Sequence, residues 1–282
     1  MGYLGGIYVE AFEQFLARIA HRPGNTYASL IWVAETFFNL GSAADTGARP
    51  TAAVAKGYFT RAAETYKQIL ATETSQPGFV PNDRVKLGVQ MRLATCYRRM
   101  GAFDAGIALL AAILTQQPNV LTAQIEAAQT FQDRGMLEKP EEFLTKAVIG
   151  DRPHPDTHEN VIWGWSKLGS RAGTNPKLAD TFFEAMLQSY ECRYQLGMKL
   201  GPPRAAALLT AAKTGIRSLY NKYPALGGAD SKRRYDRLLR SVQRGLKEPE
   251  TGLKAFEQPM SSSAAVNTKA PTSPSLLGRR SR

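Results

Sequence analysis

Three glycines, Gly101, Gly135 and Gly169, stand 34 residues apart, and the apolar residues ahead of them keep step. Leu93, Ala94 and Tyr97 precede the first; Ala127, Ala128 and Phe131 the second; Val161, Ile162 and Trp165 the third, at identical offsets. The gaps within each triplet put its side chains on one face of a 3.6-residue helix. After the first two glycines the match continues, with Phe103, Leu110, Ile113 and Pro118 answering to Leu137, Leu144, Ala147 and, one residue late, Pro153. A period of this length, carried through both halves of the unit, belongs to stacked two-helix units and not to an enzyme core.

The residues of each unit predict a helix pair. Ala94 and Ala128 remove bulk where antiparallel helices approach to about 8–10 Å. Each periodic glycine is expected to close the first helix in the left-handed conformation, which costs nothing without a β-carbon. Phe103, Ile107, Leu110, Ile113 and Leu114 then form a second apolar stripe, which Pro118 stops. One pair cannot bury both stripes, so neighbouring pairs must stack. Pro140 falls where the second helix of the next unit would have a small residue. It reads as the first residue of a shortened helix, where its missing N–H costs nothing and Glu141 and Glu142 suit the positive helix end.

The stretch Leu87 to Pro118, with Leu93, Ala94, Tyr97, Gly101, Phe103, Ile113 and Pro118, resembles a tetratricopeptide repeat. It departs from that pattern where Gln90 and Gln124 stand in place of the family's first-helix tryptophan. The resemblance implies an all-α fold, an α-solenoid of antiparallel helix pairs wound as a right-handed superhelix, with ligands held on its concave side.

Traced outward, the unit predicts this order. Residues 1–24 hold an N-terminal cap helix or partial repeat, its stripe Ile7, Phe12, Phe15, Leu16 and Ile19 having no partner before it, as in a cap or in the last part of a longer chain. Residues 25–75 form repeat 1, in which Val33, Ala34, Phe37 and Gly41 keep the offsets and an inserted turn covers 42–56. Repeats 2 and 3 follow at 85–118 and 119–152, and a divergent repeat 4 at 155–199, whose second helix Thr174 or Asn175 caps and Pro176 starts. A basic helix pair at 202–250 comes next. The tail, 251–282, is expected to be disordered, being rich in serine, proline and alanine from Pro259 onward.

Composition narrows the function classes. The chain of 282 residues is 43% apolar, enough for a large core, but a solenoid spreads that core along its length and implies no catalytic cavity. No apolar run approaches the roughly 20 residues that span a bilayer, and Glu10 and Glu13 argue against a secretory signal. A soluble, cytoplasmic protein is expected. The two cysteines, Cys96 and Cys192, read as buried reduced thiols.

The net charge of +12 lies entirely in the C-terminal part, since the first 198 residues carry nineteen cationic and nineteen acidic side chains. Arg233, Arg237, Arg240, Arg244 and Lys247 recur at gaps of four and three, opposite the stripe Tyr235, Leu238, Leu239, Val242 and Leu246. Such a row suits a solubilising outer face of a capping helix. It equally suits an anionic partner: the phosphates of nucleic acid, an anionic lipid surface, or an acidic protein.

Other candidate chemistry is thin. His154 and His158 are four apart, but Pro153 and Pro155 place His154 at or before a helix start, so a solvent-facing helix entry is expected in place of a metal site. Gly164-Trp165-Ser166 has part of a nucleophile elbow, yet Leu168 stands where its second glycine belongs. No phosphate loop or dinucleotide fingerprint is present and no cofactor is implied. By the family resemblance, Glu35, Asn39, Arg92, Arg99, Gln129, Asp133, Trp163 and Lys167 would line the groove, each of them otherwise an ordinary solvated side chain. Family members that clamp a C-terminal carboxylate use a basic, asparagine-containing inner set, which Glu35, Gln129 and Asp133 interrupt here. The sequence thus predicts a non-catalytic scaffold that binds a protein, peptide or helix of a partner in its groove; the alternative is an anion-binding module using the C-terminal helix and tail.

Overall fold

The structure, a computed structural model, describes residues 2–153 and 156–257. Among these, eleven α-helices carry nearly all the regular structure: α1 (Gly2–Ala20), α2 (Tyr27–Ala44), α3 (Ala53–Ser75), α4 (Asp83–Met100), α5 (Phe103–Gln116), α6 (Leu121–Leu137), α7 (Pro140–Ile149), α8 (Trp165–Ala172), α9 (Ala179–Lys199), α10 (Arg204–Lys222) and α11 (Ala229–Gly245). The fold is all-α. Each of α1 to α10 packs against the next helix in sequence, and α4 also meets α6, α6 meets α8, α7 meets α9 and α9 meets α11.

Local chemistry explains the helix ends. The side chain of Asn82 accepts the amide of Val85 at 3.0 Å to open α4, and Asp83 lies in its first turn. The same helix closes on Gly101 at φ 80°, with Arg98 and Arg99 in the last turn. Pro140 is the first residue of α7, followed by Glu141 and Glu142. The side chain of Asn175 accepts the amide of Lys177 and opens a short 3-10 turn, Pro176–Leu178, ahead of α9.

Two of the three periodic glycines do something other than expected. Gly135 and Gly169 lie inside α6 and α8. A β-carbon on Gly135 would sit 2.7 Å from Leu144 Cγ and 2.8 Å from the Leu144 amide nitrogen. Its role is therefore close approach of α6 to α7 and not helix termination. At Gly169 the obstructing atom is Met186 Sδ of α9, at 3.0 Å.

The start of the fourth unit also departs from the helical expectation. Val161 and Ile162 belong to a two-stranded antiparallel hairpin, β1 (Asp151–Pro153) and β2 (Asn160–Ile162), with Asp151 opposite Ile162. Helix α8 starts only at Trp165. The physical reason lies in Pro153, which resists helix, and in the buried amide of Gln124. Its Nε2 donates to the carbonyls of Pro118 and Val161, each at 2.9 Å, and its Oε1 accepts from the Trp163 amide at 2.6 Å. One side chain of α6 thus satisfies the backbone on both sides of Ile162.

The expected disordered tail begins too early at 251. Gly252–Phe256 form a 3-10 turn with Leu253 buried against α11, held by Gln243 Oε1 on the Gly252 amide and Asp236 Oδ1 on the Leu253 amide. The remainder of that tail, 258–282, and His154 lie outside the described residues. The inserted turn is shorter than 42–56, because α2 runs to Ala44 and α3 begins at Ala53.

The buried apolar side chains fall into three successive clusters, centred on Phe37, Phe59 and Tyr66, then on Leu110, Leu144 and Trp165, then on Ile216, Tyr235 and Leu239. Gly135→Ala should lower stability by about 1–2 kcal/mol, because the overpacking penalty exceeds the helix-propensity gain of alanine. Gly88→Ala, in α4 with open space where a β-carbon would stand, should raise it by about 0.5–1 kcal/mol. Thermal melts of the two variants read the opposite signs.

Candidate functional site

Six charged side chains form a continuous chain of ion pairs across the inserted loop, α4 and α6. Arg98 is only 7% exposed and lies between two carboxylates of α6. Its Nε is 2.7 Å from Glu126 Oε1, its Nη2 3.3 Å from Glu126 Oε2, and its Nη1 2.9 Å from Asp133 Oδ2. The same Asp133 oxygen accepts Arg49 Nε from the loop at 2.9 Å. Arg49 Nη1 lies 3.6 Å from Asp45, whose other oxygen pairs with Arg99 Nη1 at 2.7 Å. Three guanidinium groups thus face three carboxylates, and the network is neutral.

Its electrostatics follow from burial. Desolvation disfavours the charge on Arg98, but Glu126 and Asp133 more than offset it and hold its pKa above the ordinary guanidinium value. For Arg99, burial and the neighbouring Arg98 and Arg49 prevail over Asp45 and Asp133 and lower its pKa. A second link joins α2, α3 and α4: Glu35 Oε1 accepts the Tyr66 hydroxyl at 2.8 Å and Arg92 Nε at 3.1 Å. The Arg92 guanidinium stacks 4.4 Å from the Phe38 ring centre.

Among the candidate groove residues, then, Glu35 and Arg92 are brought together, and Arg99 and Asp133 are joined through Asp45 and Arg49. Asn39 is exposed on α2 and Gln129 half-buried on α6. Trp163 is not on a helix face open to solvent. It lies in the link before α8, 7% exposed, within the central core cluster. Lys167 and Arg171 cap its ring at 5.3 and 5.6 Å, and Lys167 pairs with Glu159 at 2.8 Å. The Gln124 bond to its amide explains the inward placement.

Four members of the network, Asp45, Arg49, Arg98 and Glu126, were not apparent from the sequence. Arg98 lies four residues after the core position Ala94, and that spacing is a signal for an inward arginine. Nothing comparable marks Asp45 or Arg49, because the loop has no period.

The basic row on α11 is largely neutralised. Arg233 pairs with Asp230, Arg240 with Asp236 at 2.7 Å and the Glu250 carbonyl at 2.6 Å, and Arg244 with Glu250 at 2.6 and 2.8 Å. Lys247 lies beyond the helix end at φ 59° and is not part of the row. Arg237 is exposed and forms no ion pair among the described residues. It lines a cleft of about 670 Å³ with Lys232, Arg233, Arg240 and Lys254, and Asp236 and Glu257 line the same cleft. Tyr235, Leu238, Leu239 and Val242 are buried on the opposite face.

Both cysteines are free and buried, and burial raises the pKa of each thiol. No group of three or more metal-ligating side chains occurs among the described residues.

Arg98→Ala would leave the Glu126 carboxylate buried without its ion-pair partner, while Asp133 keeps Arg49, at a cost of about 3–5 kcal/mol. Arg92→Ala, which removes a solvent-exposed pair, should cost less than about 1 kcal/mol. Urea denaturation midpoints at constant slope would separate the two. Compared with protein-family models, with curated proteins and with solved structures, the chain matches none.

Proposed function

We propose that this chain is a non-catalytic interaction scaffold, a tetratricopeptide-like α-solenoid whose inner face takes a peptide or helix of a partner protein. The observation that carries the reading is the order of packing. Helices α2 to α7 meet their sequence neighbours, while α4 reaches α6 and α6 reaches α8, the pattern of stacked pairs whose first helices share one face. The right-handed superhelix of such an array curves that face inward, and extended or helical peptides are its usual guests. Arg92, Glu35, Arg99 and Asp133 supply polar groups there, with Asn39 and Gln129 beside them on the same helices.

The non-catalytic part of the reading rests on what lines the recesses. The cleft of about 680 Å³ between α1, α2 and α3 holds Glu13 and Arg61, which pair with each other at 2.6 Å, and the basic cleft on α11 holds paired side chains of both signs. His21 and Thr65, which also line the first cleft, bond to the backbone carbonyls of Ala17 and Arg61 at 2.7 and 3.0 Å. Two unpaired, buried thiols suit a reducing compartment, and we place the protein in the cytoplasm on that ground. Among the described residues no helix is long and apolar enough to cross a membrane.

A second reading has its own observation. Lys232, Arg233, Arg237, Arg240 and Lys254 converge on one cleft, which favours an anion such as a nucleic-acid or lipid phosphate. Ionic strength separates the two readings. Affinity capture followed by mass spectrometry, with and without nuclease, should return a protein partner whose recovery changes little between low and moderate salt and falls at least fivefold in Arg92→Glu. Recovery that collapses with nuclease or with salt, and persists in Arg92→Glu, would favour the anion-binding reading instead.

A further inference from the structure

The turn joining α2 to α3 is eight residues long, 45–52, whereas the equivalent turns of the next two pairs need only Gly101–Ala102 and Glu138–Lys139. The extra length does not pack as a core element. Apart from the side chain of Asp45, nothing from 45 to 54 is buried, and among the described residues no backbone–backbone hydrogen bond ties 46–51 to another element. What holds the loop is charge. Asp45, its side chain only 6% exposed, gives one carboxylate oxygen to Arg99 at 2.7 Å and the other to the Gly47 amide at 2.9 Å. Four residues on, Arg49 gives its Nε to Asp133 at 2.9 Å. Beneath the loop a cavity of about 150 Å³ is left between Phe38, Ser42, Thr95 and Arg99, so the loop spans the face without filling it.

From this arrangement we propose that segment 45–52 is a built-in pseudo-ligand. It seats a carboxylate on Arg99 and a guanidinium on Asp133 across α4 and α6, where an external partner would place the same pair. The outside ligand is then a peptide turn with Asp or Glu followed four residues later by Arg or Lys, its two charges as close as those of Asp45 and Arg49, which lie 3.6 Å apart, and it enters by displacing the loop. This rests on the groove-binding reading above. It adds the charge pattern of the ligand and a reason for weak binding while the loop is seated, since a ligand gains only its advantage over what it replaces.

The probe is a fluorescent synthetic peptide of residues 43–52, added in trans and followed by anisotropy. The variant Asp45→Asn with Arg49→Gln loosens the loop in the full chain, with circular dichroism and a thermal melt confirming its fold. We expect the peptide to bind this variant at least tenfold more tightly than the unaltered chain. Adding Arg99→Gln to the variant, or replacing the peptide's Asp by Asn and Arg by Gln, should abolish the binding. Equal affinity for the loosened and unaltered chains, or no binding to either, overturns the proposal. If the double variant fails to fold, Asp45→Asn alone is used, with at least a threefold gain expected and no gain overturning it. Partner capture through Arg92 is read separately, so the pseudo-ligand can fail while the scaffold reading stands, or the reverse.

Discussion

The spacing of the helices depends on large side chains fitting against the backbone of a neighbouring helix at positions with no side chain of their own. Gly135 faces Leu144, Gly169 faces Met186, Gly41 faces Phe59 and Gly197 faces Leu209, each glycine on one helix of a pair and each large side chain on the helix that follows. A protruding residue enters the space left by an absent one, and dispersion contacts accumulate along the seam. The apolar stripes on either side of that seam are then buried only when the next pair closes over them. The three core clusters follow the chain in order because each is built from adjoining helices.

This geometry explains what could be read from the chain and what could not. Helices with strong stripes and clear stops were legible: Gly101, Pro140 and Asn175 each act at the end of an element through their own backbone or side-chain chemistry. The glycine period was legible too, but its meaning was misread at Gly135 and Gly169, because close approach and helix closure favour the same residue. The hairpin at 151–162 was hidden because Val161, Ile162 and Trp165 fit a helical spacing as well as a short strand, and Gln124, 37 residues before Val161, decides between them. A bond of that kind leaves no trace in local pattern.

The candidate site divides the same way. Glu35, Arg92, Arg99 and Asp133 lie on helices that the sequence predicts, α2, α4 and α6, whereas the landing place of the loop that joins two of them was not legible, since an aperiodic segment carries no information about where it lands. Charge was legible in amount and not in effect. The cationic excess on α11 is as the sequence shows it, yet Asp230, Asp236 and Glu250 return to meet three of its arginines. Formal charge therefore overstates the field that this surface presents to a partner.

The bond from Arg49 to Asp133 joins positions 84 residues apart, while nearly every other helix contact is between near neighbours in the chain. Local pairs assemble rapidly, and distant ones must wait for the segments between them to settle. That link can close only after α4, α5 and α6 have docked, so its formation marks the completion of the N-terminal half. By the same logic it belongs to the shallowest layer of the native state, able to open and reclose without disturbing the helices it connects.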